Sequence, residues 1–138
     1  MKDIVYAVLT LLQTNAALTA VVPSVNILRG NLPQNPVFSP SSPFVVITRV
    51  TKVRDQMNNT GKYATARIQC TTFATTDYQA ELISDMIADT LVGISNTFIN
   101  SVYVAWIDGA GATPDNSDGL TLGVFRDNHD FMIYYSFR

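Results

Sequence analysis

The chain has 138 residues, of which 14% are charged, against about 25% in an ordinary soluble domain, while 47% are apolar. That apolar share excludes a disordered tail, the length suits one domain, and no apolar run approaches the ~18 residues of a membrane span. A net charge of −2 and a pI near 5.1 exclude bulk attraction to nucleic acid, so the charge deficit points to surface buried between copies of an oligomer.

The chain opens with Ile4, Val5, Val8, Leu11 and Leu12 at helical spacing, which predicts an amphipathic helix. Asp3 at its start, with Thr10 and Gln13 within it, argues against a secretory signal. Thr14 and Asn15 break the helix, and Asn15 is placed to cap a short second turn through Ala16–Leu18 that ends by Pro23. Val25–Arg29 reads as a short strand. Gly30–Ser42 contains Pro33, Pro36 and Pro40 and is a long loop, a length usually reserved for function.

From Pro43 the pattern turns to β. Phe44-Val45-Val46-Ile47 is apolar on both faces and predicts an interior strand continuing through Val50. Asn58-Asn59-Thr60-Gly61 predicts the turn of a long hairpin. On the return, Ala64, Ala66, Ile68, Cys70 and Thr72 form one small, mostly apolar face suited to a packed helix, with Cys70 a buried small hydrophobe. Thr76-Asp77-Tyr78-Gln79 is a capping box opening that helix. Ile83, Met86, Ile87 and Leu91 make its core stripe, and Gly93 stops it. Phe98–Asp108 reads as one strand with Val102, Val104 and Trp106 on a common face, followed by a polar loop over Gly109–Gly119. Leu120, Leu122 and Val124 mark a further strand, and Asp127-Asn128-His129-Asp130 reads as a turn into a final strand, Phe131–Arg138. The expected fold is α+β: a largely antiparallel sheet, two helices packed on one face, a long hairpin and a terminal β-hairpin.

The few charges are sorted along the chain. Residues 1–75 carry seven cations against Asp3 and Asp55, a net +5, and residues 76–138 carry Arg126 and Arg138 against nine carboxylates, a net −7. Arg49, Lys52, Arg54, Lys62 and Arg67 fall on the predicted hairpin. Asp77, Glu81, Asp85 and Asp89 recur every four residues on the second helix, where like charges cost a few tenths of a kcal/mol per pair.

Catalytic signals are weak. His129, the only histidine, reads as a solvated turn residue, and no Gly-x-Ser-x-Gly elbow supplies a nucleophile. Asp115-Asn116-Ser117-Asp118-Gly119 fails the spacing of a calcium loop and reads as an Asx-rich turn. Gly109-Ala110-Gly111 lacks the third glycine of a dinucleotide loop. One cysteine excludes an intrachain disulfide and a Cys-rich zinc site. No enzyme activity, cofactor or metal is expected.

The order of features resembles a family. Val25-Asn26-Ile27-Leu28-Arg29-Gly30 leads through a Pro-rich loop to Pro43-Phe44-Val45-Val46-Ile47. A polar hairpin and a long strand then run into the second helix over Arg67–Leu91, and Arg126-Asp127 opens the closing segment through Phe137. This pattern is similar to the tail terminator (tail completion, head–tail joining) proteins of long-tailed bacteriophages, with Phe73 where many relatives carry tryptophan. The resemblance covers nearly the whole chain and implies one such domain over residues 1–138. It also implies a structural virion protein, assembled in the host cytoplasm and placed at the head-proximal end of the tail.

The implied partners are further copies in a hexameric ring, the tail tube protein and a neck or head completion protein. DNA would pass the lumen without specific binding, and no membrane is involved. The ring gives the sorted charges a use: Arg49, Lys52, Arg54, Lys62 and Arg67 of one copy would meet Glu81, Asp85 and Asp89 of the next. An acidic row lining the lumen, keeping DNA from sticking, stays open beside it. The loops bearing Asn31, Gln34, Phe38, Asp115 and Asp118 are candidates for contact with tube or neck. Two other classes also stay open, another neck or tail-tube subunit and a small α+β enzyme or ligand-binding domain.

Overall fold

The computed structural model describes residues 3–34, 36–54, 63–115 and 124–136. Helix α1 spans Ile4–Thr14. Its N-cap is Asp3, whose Oδ1 accepts from the Tyr6 N–H at 3.1 Å, and it buries Ile4, Val5, Ala7, Val8 and Leu12. Asn15 ends α1 and caps α2, Ala16–Thr19, by accepting from the Leu18 N–H at 2.9 Å. One residue thus stops one helix and starts the next, because its short amide satisfies a backbone donor that the new helix leaves orphaned. The predicted strand at 25–29 divides into a 3₁₀ turn, Ser24–Asn26, and strand β1, Ile27–Arg29.

Strand β2, Phe44–Arg54, and β3, Tyr63–Ala74, form the long hairpin. Its expected turn at Asn58–Gly61 lies outside the described residues. Helix α3 spans Asp77–Leu91, with Thr76 Oγ1 accepting from the Gln79 N–H at 3.1 Å. Strands β4, Ser95–Ile99, β5, Val102–Asp115, and β6, Phe125–Ser136, complete one six-stranded sheet in the order β1-β2-β3-β6-β5-β4. Only the β1–β2 pair is parallel.

Helices α1 and α3 cover one face of this sheet. Ala64, Ala66, Ile68, Cys70 and Thr72 of β3 are all buried there, with Ile83 and Ile87 of α3 and Val8 and Leu12 of α1 in the same core. Small side chains on the strand let the helices approach closely. On the opposite face, Phe44 and Val46 are also buried. Phe38 reaches over from the 30–42 loop and packs edge-on against Phe44 at 5.3 Å and stacked on Phe73 at 6.2 Å. A strand apolar on both sides is interior here because a loop supplies the second cover. The same loop is tied down where Gln79 Nε2 donates to the Pro40 carbonyl at 2.8 Å and Asn26 Nδ2 to the Pro43 carbonyl at 3.0 Å.

The C-terminal half departs from the sequence expectation in three places. The single strand expected at 98–108 is the end of β4, a tight turn at Asn100-Ser101, and the start of β5. Both turn residues have positive φ, 47° and 71°, which suits a two-residue hairpin turn of primed type and which asparagine tolerates. The loop expected from Gly109 is strand as far as Asp115. Residues 127–130, expected as a turn, are paired within β6 to both β3 and β5. The expected strand residues Leu120 and Leu122 lie outside the described residues. The register of β5 on β6 shifts between Val104 and Trp106 and again between Gly109 and Ala112. The first bulge reverses the alternation, so Val102, Val104 and Ile107 are buried while Trp106, expected beside them, points to the opposite face, 48% exposed.

Candidate subunit interface

The cations of the hairpin do not share a face. In β2 the register shifts between Arg49 and Thr51, so Arg49, Lys52 and Arg54 stand opposite Ile68, Ala66 and Ala64, the helix-covered series of β3. Arg67 belongs to the opposite series. It spends its guanidinium within its own subunit, with Nε and Nη2 donating to Asp130 Oδ2 at 2.9 and 2.6 Å. Beside it Thr71 Oγ1 donates to Asn128 Oδ1 at 2.9 Å, so this part of the open face is a cross-strand polar lattice in which Asp130 Oδ1 stays buried without a hydrogen bond. Arg49 is exposed and Lys52 half-buried, while Lys62 lies outside the described residues.

The acidic row is on the surface as expected: Asp77, Glu81, Asp85 and Asp89 are all exposed. The flank of α3 bearing Met86 and Thr90 faces Asn15, Ala17 and Leu18 of α2 across a cleft of about 390 Å³ that Asp89 also lines. Glu81 and Asp85 lie toward β6, near enough to act on Asp127. No basic residue occurs from Ile68 to Phe125, against seven carboxylates, so the charges of α3 and β5 are all negative and β4 has none.

Under α3 lies a polar cluster that the sequence reading missed. His129, expected in a solvated turn, is half-buried on β6, its ring stacked on Phe131 at 4.4 Å and its Nδ1 3.3 Å from Ser84 Oγ. Asp127, 6% exposed, sits two residues away on the same face. Burial pushes the Asp127 carboxyl above the ordinary 3.8. His129 and the Ser84 hydroxyl pull it back, and Asp85 and Glu81 push it up again. Serine here lies between aspartate and histidine, whereas nucleophilic catalysis needs histidine between the other two. The signal available in sequence was the Asp127-x-His129 spacing, which puts both side chains on one face of a strand.

A second missed feature is aromatic. Trp106 of β5 packs on Tyr134 of β6 at 4.5 Å, and Phe98 of β4 on Tyr103 of β5 at 5.4 Å. Tyr63 lies on the same open face, since it and Tyr103 both pair with Ser136. The Trp106 indole donates to Asp108 at 2.9 Å. Of the proposed contact residues, Asn31 and Gln34 are exposed, and Phe38 is half-buried against its own sheet. Asp115 is paired in β5 opposite Arg126, and Asp118 lies outside the described residues. Among the described residues no group of three or more His, Cys, Asp or Glu is placed to hold a metal ion, and no helix is long and apolar enough to cross a membrane.

The family description "Tail completion protein gp17" matches residues 6–127. The chain belongs to this family. As a tail completion protein it is a structural component of the virion tail, which agrees with the resemblance read from the sequence. No curated protein sequence matches the chain. A similar solved structure is a chain from the virion of a native gene transfer agent (GTA) particle, with a TM-score of 0.69 at 12% identity over 95% of this chain and 92% of that one. At that identity the likeness is one of fold.

Proposed function

We propose that this tail completion protein forms a hexameric ring that caps the tail tube, ends its polymerisation and presents the joining surface for the neck or head. Its partners in that reading are five further copies, the tube protein and a neck or head completion protein, with DNA passing the lumen unbound. The carrying observation is the family match over residues 6–127. The charge distribution supports it: a ring needs two different, complementary flanks on each copy, and this chain separates its cations from its carboxylates. Arg49, Lys52, Arg54 and Lys62 would lie on the flank that meets the flank carrying Glu81, Asp85 and Asp89 in a neighbour. Arg67, already paired to Asp130, would not take part.

Mixing the protein with purified tube subunits tests the function. Shorter, capped tubes are expected in negative-stain images, with a pored ring visible for the protein alone. Tubes that lengthen by incorporating it would instead make it a tube subunit.

A further inference from the structure

A six-stranded open sheet has two borders, and they differ here. On one border β1 covers β2 only from Val45 to Ile47, so among the described residues Thr48–Arg54 has no strand on its outer side. β1 itself is shut: Gln13 Nε2 donates to the Ile27 carbonyl at 2.9 Å, placing a side chain on that strand's backbone. The other border is β4, whose residues Ser95–Phe98 are all exposed, with Phe98 70% exposed. β4 carries no charge and no proline, the usual guards of a sheet edge.

We propose that the uncovered stretch of β2 in one subunit, Thr48–Arg54, lies along the outer edge of β4, Ser95–Ile99, in the next. This rests on the ring reading above and assigns its contact to sheet edges rather than to helix α3. The occupant is a second copy because the charges select it. The β2 stretch bears Arg49, Lys52 and Arg54 and no carboxylate, whereas the β4 side belongs to the segment 68–125 that has carboxylates only. Two β2 edges repel each other, whereas β4 is uncharged and lines a cleft with Asp108 of the neighbouring strand β5. Head-to-tail pairing sets the cationic β2 stretch beside that carboxylate, and head-to-tail contact is the kind that closes into a ring. Strand addition would give each edge a ladder partner that no described strand supplies, and it covers the exposed Val50 and Phe98.

Cross-linking tests it. Thr51 and Thr97 are exposed, and the single native cysteine, Cys70, is buried. A chain carrying both Thr51→Cys and Thr97→Cys, treated with a short bis-maleimide, is expected to give a ladder of covalent oligomers up to the ring. Each single variant is expected to remain monomeric on a denaturing gel. Ring formation, followed by light scattering, should also slow hydrogen exchange of the backbone amides at 48–54 and 95–99. A ring that gives no ladder or no such protection overturns the strand pairing and leaves the ring standing. So does a ladder from Thr51→Cys with Glu81→Cys instead, or a dimer from Thr97→Cys alone. A chain that stays monomeric under all conditions and in assembled tails overturns the ring reading, and this inference with it.

Discussion

At the scale of single residues, the group with the most to say is Asp127. Its carboxyl is raised above 3.8 chiefly by burial, so the folded chain favours the neutral form more than the unfolded chain does. Its contribution to stability is therefore complete below pH 3.8 and is lost as pH climbs through the raised value. Asp127→Asn should flatten that part of the stability–pH curve and gain on the parent toward neutral pH. Thermal melts over a pH series would show it, and parallel curves for the two proteins would contradict it. Asp3 runs the other way. Burial pushes its carboxyl up, but Arg29, 2.6 Å away, and the Tyr6 and Val5 N–H groups bring it below the ordinary value. The Cys70 thiol is pushed up to about 12 by burial, with Asp130 adding to the rise. The burial of Cys70 was legible in sequence, because a small-residue face on an alternating strand has few other uses. The pairing of His129 with Ser84 was not, because the two are 45 residues apart and only the α3–β6 packing joins them.

At the scale of elements, the helices and the long hairpin were legible because caps and periodicity are local. Asp3, Asn15 and Thr76 each announce a helix start through one side-chain oxygen. The end of the chain was not. Asn100-Ser101 carries no glycine, so the turn inside an apolar run gave no punctuation, and Asp127–Asp130 looked like a turn although its polar side chains alternate between two strand faces. Asn100→Val should cost about 1–2 kcal/mol, since a β-branched residue is forced into the left-handed region. Chemical denaturation would measure it, and a neutral result would mean the turn relaxes into another type. Helix α3 is less stable than its sequence allows. Asp89 sits in its last turn, where a carboxylate opposes the helix dipole, and four residues from Asp85. Asp89→Lys should raise the stability of the isolated subunit by about 0.3–1 kcal/mol. If the acidic row serves a neighbour, the same change weakens assembly, so melting temperature and oligomer mass should move in opposite directions.

At the scale of the whole molecule, the sorted charges were visible in sequence, but their positions were not. Five cations on one hairpin looked like one patch, yet Arg67 lies on the face opposite Arg49, and a single extra residue in β2 resets the alternation so that Lys52 joins Arg49 instead of Arg67. Exposed ion pairs are each worth about 0.2–1 kcal/mol and are screened by salt, so charge alone cannot hold copies together firmly. Its service is to choose which flank meets which. Glu81→Lys with Asp85→Lys should therefore lower the ring fraction at low ionic strength and leave the subunit folded, as light scattering and circular dichroism would report. An intact ring in low and raised salt alike would show that these two carboxylates do not help choose the flank. The aromatic pairs Trp106–Tyr134 and Phe98–Tyr103 add a second exposed surface on the sheet's open face, distinct from the acidic flank of α3.

The bulges in β2 and β5 bear on how such a chain tolerates change over time. A strand that gains or loses one residue ordinarily turns every later side chain to the other face, which is lethal to a one-sided core. Near Val50, Ala105 and Gly111 the odd residue is already absorbed, and the strand beyond keeps its facing. These are the sites where single-residue insertions and deletions should be survivable. Kin of this protein that differ in length within the sheet should differ there first.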